Sequence, residues 1–119
     1  MDAGRALADL VEISPQIEAA AVVAADGALA GSVGVPEGHA DALARAAREL
    51  LDCAAALRSD GVRVTQIHAA LGDGEVFAVT GSGSRTVVAV ASERAAPGLV
   101  FYDLKRCLAA VEGEDGSGT

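Results

Sequence analysis

The residues best able to act as nucleophiles or metal ligands are two cysteines and two histidines, and their positions argue against both roles. Cys53 and Cys107 each fall within a helical pattern and form no CxxC spacing. Thiols in helical cores are usually unreactive, so we expect both to be buried and reduced. His39 and His68 do not stand at ligand spacing from a Cys, Asp or Glu on the same face, so we expect each to be a lone surface imidazole. The pattern predicts neither a metal site nor a catalytic thiol.

One glycine-rich stretch, at residues 81–84, could be mistaken for a phosphate-binding loop. Its Gly-Ser-Gly-Ser sequence lacks the Lys-Ser/Thr of a P-loop, does not fit GxGxxG and leads into a strand-like stretch instead of a helix. A hairpin turn explains it better. No GxSxG nucleophile elbow occurs, and the carboxylates are scattered over turns and helix surfaces. We therefore expect no cofactor, no nucleotide binding and no enzymatic activity.

Composition narrows the range of partners. The chain of 119 residues is 51% hydrophobic and 3% aromatic, and its net charge is −8. Such a charge is repelled by nucleic acid and by anionic membrane surfaces. The first residues lack a basic-then-apolar signal, and no apolar run approaches the roughly 20 residues of a membrane helix. We expect a soluble cytoplasmic protein that neither binds nucleic acid nor inserts into a membrane.

Hydrophobic periodicity predicts the element order α-ββ-α-βββ-α. The predicted helices span 3–14, 39–58 and 97–112, and the predicted strands span 17–25, 28–33, 62–71, 75–80 and 85–92. Asp26 and Gly27 suit the turn of the first hairpin, and Gly113 is expected to end the last helix. Residues 1–113 are therefore predicted to be a single domain, followed by a disordered acidic tail at 114–119.

The strands can join into one antiparallel sheet if the two most apolar ones, 17–25 and 85–92, lie side by side at its centre. The fold class is then α+β, with strand order 2-1-5-4-3 and helices on both faces. The 62–71 strand carries too many polar side chains for the centre, so it is predicted at an edge. In the 39–58 helix an apolar stripe is expected to face the core: Leu43, Ala47, Leu50, Ala54 and Leu57.

The edge strand and the long helix also predict a homodimer. The unpaired backbone groups of an exposed edge need a partner, and a two-fold axis would pair the strand with its own copy. Small side chains on the flank of the long helix would let the helix of a second copy approach closely. The predicted dimer interface comprises Ala44, Arg48, Leu51 and Ala55 from the helix, with Arg63, Thr65 and Ile67 from the strand.

The element order, the apolar first strand with its Asp26-Gly27 turn, the 39–58 helix and the closing helix together resemble the roadblock family of dynein light chains. The likeness spans residues 3–112. It implies a profilin-like five-stranded antiparallel sheet, with the long helix on one face and both terminal helices on the other. It also implies a dimer in which the edge strands pair and the long helices lie side by side. Bacterial members typically work with Ras-like small GTPases, as regulators or as platforms that hold them.

The resemblance therefore implies a non-enzymatic homodimeric regulator or scaffold for a Ras-like small GTPase in bacterial signalling. Two alternatives stay open. The first is a structural dimeric adaptor with no nucleotide-dependent partner, and the second is a small-molecule sensor domain. The sensor is disfavoured because the predicted inner faces carry few polar residues that could orient a ligand.

Overall fold

The computed structural model describes residues 2–36, 38–57, 64–70, 74–81, 83–92 and 95–115. Its elements are α1 (Ala3–Ile13), β1 (Ile17–Val23), β2 (Leu29–Val33), α2 (Ala40–Ala56), β3 (Gln66–Ala70), β4 (Glu75–Thr80), β5 (Thr86–Ala91) and α3 (Pro97–Asp115). The predicted element order is confirmed. The ends of the predicted 62–71 strand, at 62, 63 and 71, lie outside the described residues.

The strands of the described residues form one antiparallel sheet in the predicted order, β2-β1-β5-β4-β3. At its centre Ala21 of β1 pairs with Val88 of β5, and Val22 pairs with Val87. These side chains are fully buried because helices cover both faces. α1 and α3 pack on one face, and α2 packs on the other. The α+β architecture with helices on both faces is confirmed.

The two layers of the core differ in side-chain size. The layer between the sheet and the α1–α3 pair holds large side chains, each at most 1% exposed: Phe77, Leu7, Leu10 and Leu104. The layer beneath α2 is built from small ones: Ala21, Ala47, Ala78 and Val88. Small side chains in this layer allow α2 to lie close to the strands.

Short-range hydrogen bonds define the start of α1 and the first hairpin. Asp2 caps α1, because its Oδ1 accepts from the Arg5 N–H at 2.9 Å. In the turn between β1 and β2, Asp26 Oδ1 accepts from the Ala28 N–H at 2.9 Å. Gly27 adopts φ 91°, a conformation that side chains with a Cβ rarely take. The turn predicted at these positions is confirmed.

α3 runs further than predicted. It continues through Asp115, and Gly113 lies inside it instead of ending it. The buried side chains of Leu108 and Val111 anchor the last turns on the core, so the helix carries on past one glycine. Residues 116–119 lie outside the described residues, so the acidic tail and the domain limit at 113 stay predictions. None of the helices in the described part of the chain is long and apolar enough to cross a membrane.

Candidate interaction surface

β3 lies at the edge of the sheet, as the sequence predicted. It pairs with β4 along Gln66–Ala70, and the described residues place no strand on its other side. Ile67 and Ala69 are half-buried and lie on the same side of the sheet as α2. The outer backbone N–H and C=O groups of β3 face a side on which a further strand could add.

The strand residues predicted for the interface lie at or beside this edge. Thr65 is exposed, and its carbonyl accepts from the Thr80 N–H at 2.9 Å just before β3 begins. Ile67 lies within β3. Arg63 lies outside the described residues.

α2 is rotated relative to the predicted orientation. Its buried face consists of Ala44, Ala47 and Leu51, which are 4%, 3% and 7% exposed. Leu50 and Leu57, predicted to face the core, are instead 36% and 86% exposed. The predicted stripe is therefore wrong for these two leucines.

The outward side of α2 carries a second apolar stripe. Its members are exposed and spaced by four, four, three and four residues: Ala42, Ala46, Leu50, Cys53 and Leu57. At 3.6 residues per turn they fall within a sector of about 80°. Because both sides of α2 are rich in alanine and leucine, periodicity alone does not tell which stripe faces the sheet.

The helix residues predicted for the interface differ in their environments. Ala44 and Leu51 are buried against the sheet of the same protomer, Arg48 is half-buried and Ala55 is exposed. Arg48 reaches the first hairpin, where its Nη2 lies 3.5 Å from the carbonyl oxygen of Ala25. The guanidinium thus contacts the connection between β1 and β2.

A groove of about 170 Å³ brings the predicted strand and helix segments together. Arg48, Leu51 and Ala55 line it from α2, and Val64 lines it from the segment that leads into β3. Val64 is the neighbour of Thr65 in the chain. The α2 segment and the segment before β3 thus meet at one groove. The predicted orientation of α2 was wrong about which of its sides is exposed.

Within the described residues, α2 leaves part of this face of the sheet uncovered. α2 packs chiefly on β1, β2 and β5. Val90, Val76 and Ala69 pair across β5, β4 and β3, and all three are only half-buried on this face. We name three features together the α2–β3 surface: the outward stripe of α2, this row of side chains with Ile67, and the free edge of β3.

His68 is not the lone imidazole that the sequence predicted. Its Nε2 lies 2.8 Å from Glu75 Oε1 on the neighbouring strand. The imidazole stacks on the Phe77 ring, with centroids 4.4 Å apart and planes 7° apart, and Phe101 meets it edge-on at 6.4 Å. Glu75 Oε2 is buried and has no hydrogen-bond partner within the described part of the structure. In the β3–β4 register, His68 lies opposite Phe77 and Ala70 lies opposite Glu75, so His68 and Glu75 are diagonal neighbours on one face. Only this register could have revealed the pair.

The two cysteines differ. Cys53 is exposed on α2, which contradicts the prediction, whereas Cys107 is buried as predicted. Burial, together with the nearby charge of Asp9, raises the pKa of the Cys107 thiol to about 11. A thiol that stays protonated is a poor nucleophile. Among the described residues, no three His, Cys, Asp or Glu side chains come together as a metal site would require.

In the glycine-rich stretch at 81–84, Gly81, Gly83 and Ser84 lie in the hairpin turn between β4 and β5, as predicted, and Ser82 lies outside the described residues. The Gly81 N–H donates to the Arg85 carbonyl at 2.9 Å, and the Ser84 N–H donates to the Gly81 carbonyl at 3.0 Å. Ser84 adopts a left-handed φ of 64°. The Glu112 carboxylate of α3 occupies the place that a Cβ at Gly81 would take. The turn thus directs N–H groups to its own carbonyls and sits against a carboxylate.

Comparisons with known proteins give a fold. Neither a scan of protein-family models nor a search of curated proteins finds a match. Among solved structures, a Roadblock/LC7 domain from Streptomyces avermitilis has a TM-score of 0.84 at 24% identity, covering 96% of this chain and 98% of that one. This chain has the roadblock/LC7 fold.

Other solved structures extend the roadblock/LC7 comparison. MglB of Myxococcus xanthus is similar with a TM-score of 0.79 at 13% identity, covering 96% of this chain and 95% of that one. A chain of the LokiProfilin2–rabbit actin complex has a TM-score of 0.65 at 15% identity, with 91% and 94% covered. The roadblock resemblance and the profilin-like architecture inferred from the sequence are both confirmed at the level of the fold.

Proposed function

We propose that this protein is a homodimer formed through the α2–β3 surface. The proposal rests on three features that occur on one side of the molecule: the free edge of β3, the half-buried row of Val90, Val76 and Ala69, and the outward leucines of α2. A two-fold axis along the β3 edge would pair the two strands and join two sheets into one. The same axis would bring the two α2 helices side by side over the row.

Pairing the two edges also explains why such a surface is tolerated. An apolar row beside an unpaired strand promotes uncontrolled association, and a closed two-fold contact satisfies both features. The seven predicted interface residues remain part of this proposal. Ala44 and Leu51 already belong to the protomer core, so the exposed side chains that α2 offers a partner are chiefly Leu50 and Leu57.

We propose further that the dimer regulates or holds a Ras-like small GTPase without catalytic groups of its own. The observation that carries this is the roadblock/LC7 fold over almost the whole chain, since bacterial proteins that resemble this family typically work with such GTPases. A rigid two-fold platform of paired helices suits the recognition of a folded partner. The cysteine and histidine environments described above favour a binding role over a catalytic one.

The GTPase proposal predicts a preference for one nucleotide state. Switch segments of Ras-like GTPases order with the γ-phosphate, so a partner that contacts them binds one state more tightly. Calorimetry against a Ras-like GTPase from the same cell, loaded with GDP or with a non-hydrolysable GTP analogue, measures the difference. We expect at least a tenfold ratio of Kd values, about 1.4 kcal/mol.

The alternatives are outcomes of the same titration. Equal affinity for both loaded forms would favour the structural adaptor, and absence of binding to every such GTPase of the cell would remove the regulator proposal. The sensor has less support because the layers where a ligand would lie between helix and sheet are occupied by buried side chains such as Phe77, Leu104 and Val88.

A further inference from the structure

A groove runs between α1 and α3, on the face of the sheet opposite α2. It is lined from α1 by Asp9, Leu10 and Ile13, and from α3 by Asp103, Arg106 and Ala110. The lining positions on each helix recur every three or four residues, so the groove follows both helices over about two turns, or about 10 Å. It belongs to neither the free edge of β3 nor the outward stripe of α2.

Large apolar side chains stand out of this face. Ile13 is 56% exposed at one wall of the groove. On α3, Leu99 and Tyr102 are 59% and 60% exposed, one turn apart. Isolated exposed apolar residues are common, but Ile13 lines the groove and Tyr102 contacts its Arg106, and such apolar residues beside one concave surface mark an interaction site.

The groove also favours a positive charge. Asp9 and Asp103 line it from opposite helices, and the charge of Asp9 reaches the groove floor, where it helps to raise the pKa of Cys107. Arg106 also lines the groove, and its guanidinium lies 5.9 Å from the centre of the Tyr102 ring. The charged lining residues are thus two carboxylates and one guanidinium, so the groove carries a net negative charge.

Size decides which kind of occupant fits. The groove encloses about 150 Å³. Pockets for small organic ligands hold about 300–1,000 Å³, so a compact metabolite would be poorly enclosed. One or two apolar side chains projecting from a helix need far less, and a groove between two helices has the shape to receive a third.

We propose that the α1–α3 groove binds an amphipathic helical segment of another protein. Its apolar face would lie between Ile13 and Tyr102, and its Lys or Arg side chains would meet Asp9 and Asp103. This binding is independent of the proposed dimer, because it uses the opposite face of the sheet.

The test uses the full-length protein and a designed probe. The probe is an 18-residue amphipathic helix with leucines on one face and lysines on the other, and its matched control carries glutamates in place of the lysines. Titration of ¹⁵N-labelled protein followed by amide chemical shifts should show saturable binding centred on residues that line the groove, such as Leu10, Ile13 and Ala110. The glutamate peptide should bind at least tenfold more weakly.

Variants separate the groove from the rest of the surface. Ile13→Ser should weaken binding of the lysine peptide at least tenfold, and the pair Asp9→Asn and Asp103→Asn should reduce its advantage over the glutamate peptide to less than threefold. Glu49→Gln removes an exposed carboxylate from α2 on the opposite face and should leave the affinity unchanged. Thermal unfolding of each variant checks the fold, and Tyr102→Ser replaces Ile13→Ser if that variant unfolds early.

Several results would overturn the proposal. They are shifts centred on α2 instead of the groove, equal affinity for both peptides, unaltered binding by a folded Ile13→Ser variant, and no binding at all. A change in the sedimentation of Ile13→Ser would also overturn it, because the occupant would then be a second copy of this chain.

Discussion

Replacing Leu57 with serine tests whether the outward face of α2 is an interface. In the protomer this side chain is 86% exposed, so it contributes little to the folded monomer. Exposed positions of this kind usually change the free energy of unfolding by less than about 0.5 kcal/mol. The substitution should therefore leave the thermal unfolding of the protomer unchanged.

In a two-fold dimer the same substitution acts twice. Burying one leucine contributes about 1.5–3 kcal/mol, so two copies contribute about 3–6 kcal/mol. Each 1.4 kcal/mol is a factor of ten in the dissociation constant, so the Kd of the dimer should rise by at least about 100-fold. A dimer that persists at micromolar concentration would then dissociate over the range that sedimentation equilibrium covers.

The assay is sedimentation equilibrium at several concentrations of the wild type and of two variants. Leu99→Ser is the matched control, because Leu99 is also a well-exposed leucine, at 59%, but lies on α3 at the opposite face. We expect Leu57→Ser to shift toward the 11.8 kDa monomer and Leu99→Ser to sediment like the wild type.

Two outcomes would refute this reasoning. If the wild type sediments only as the 11.8 kDa species at micromolar concentration, the dimer itself is wrong. If the wild type is a dimer and Leu57→Ser keeps its Kd within threefold, the dimer does not use the outward face of α2.

The remaining predictions concern nucleotides, thiols and one turn. Calorimetric titration with Mg-GTP or Mg-ATP should be flat, and an isotherm tighter than about 100 μM, roughly −5.5 kcal/mol, would contradict it. In the Leu57→Ser variant, which should be monomeric, Cys53 should react with a thiol reagent near pH 8 much faster than Cys107, and adding Cys53→Ser or Cys107→Ser to that variant would measure this. Because the pKa of Cys107 is raised from 9.0 to about 11, the unfolded chain loses its proton first. The buried thiol therefore contributes fully to the free energy of unfolding below pH 9.0, and this contribution should be lost as the pH rises toward 11. Urea unfolding at several pH values would show this loss in the wild type and not in Cys107→Ser. Gly34→Ala should lower the free energy of unfolding by about 1–3 kcal/mol, because Gly34 has φ 71° and an added Cβ would meet the Glu18 carbonyl. In the control variant Gly98→Ala the added Cβ would lie in open space, so the free energy of unfolding should change by less than about 1 kcal/mol.

The α2 helix shows most clearly where inference from the sequence fails. Its existence was predictable, since residues 39–58 contain no helix breaker and alternate apolar with charged positions. Its rotation was not, because stripes on two sides are almost equally apolar and only one fits the small-residue layer of Ala21, Ala78 and Val88. That choice placed Leu50 and Leu57 outside and Ala44 and Leu51 inside.

Local chemistry in the sequence was enough for the element order, the Asp26-Gly27 turn and the strand order, because turn residues and periodicity act over a few positions and very apolar strands must lie at the centre of a sheet. Tertiary structure alone decided which side of each element meets which neighbour. It joined His68 to Glu75 through the β3–β4 register, carried α3 past Gly113 and placed Asp9 and Asp103 on one groove. These pairings depend on contacts between residues far apart in the chain, where small differences in packing energy select one arrangement among several that the sequence pattern allows equally well.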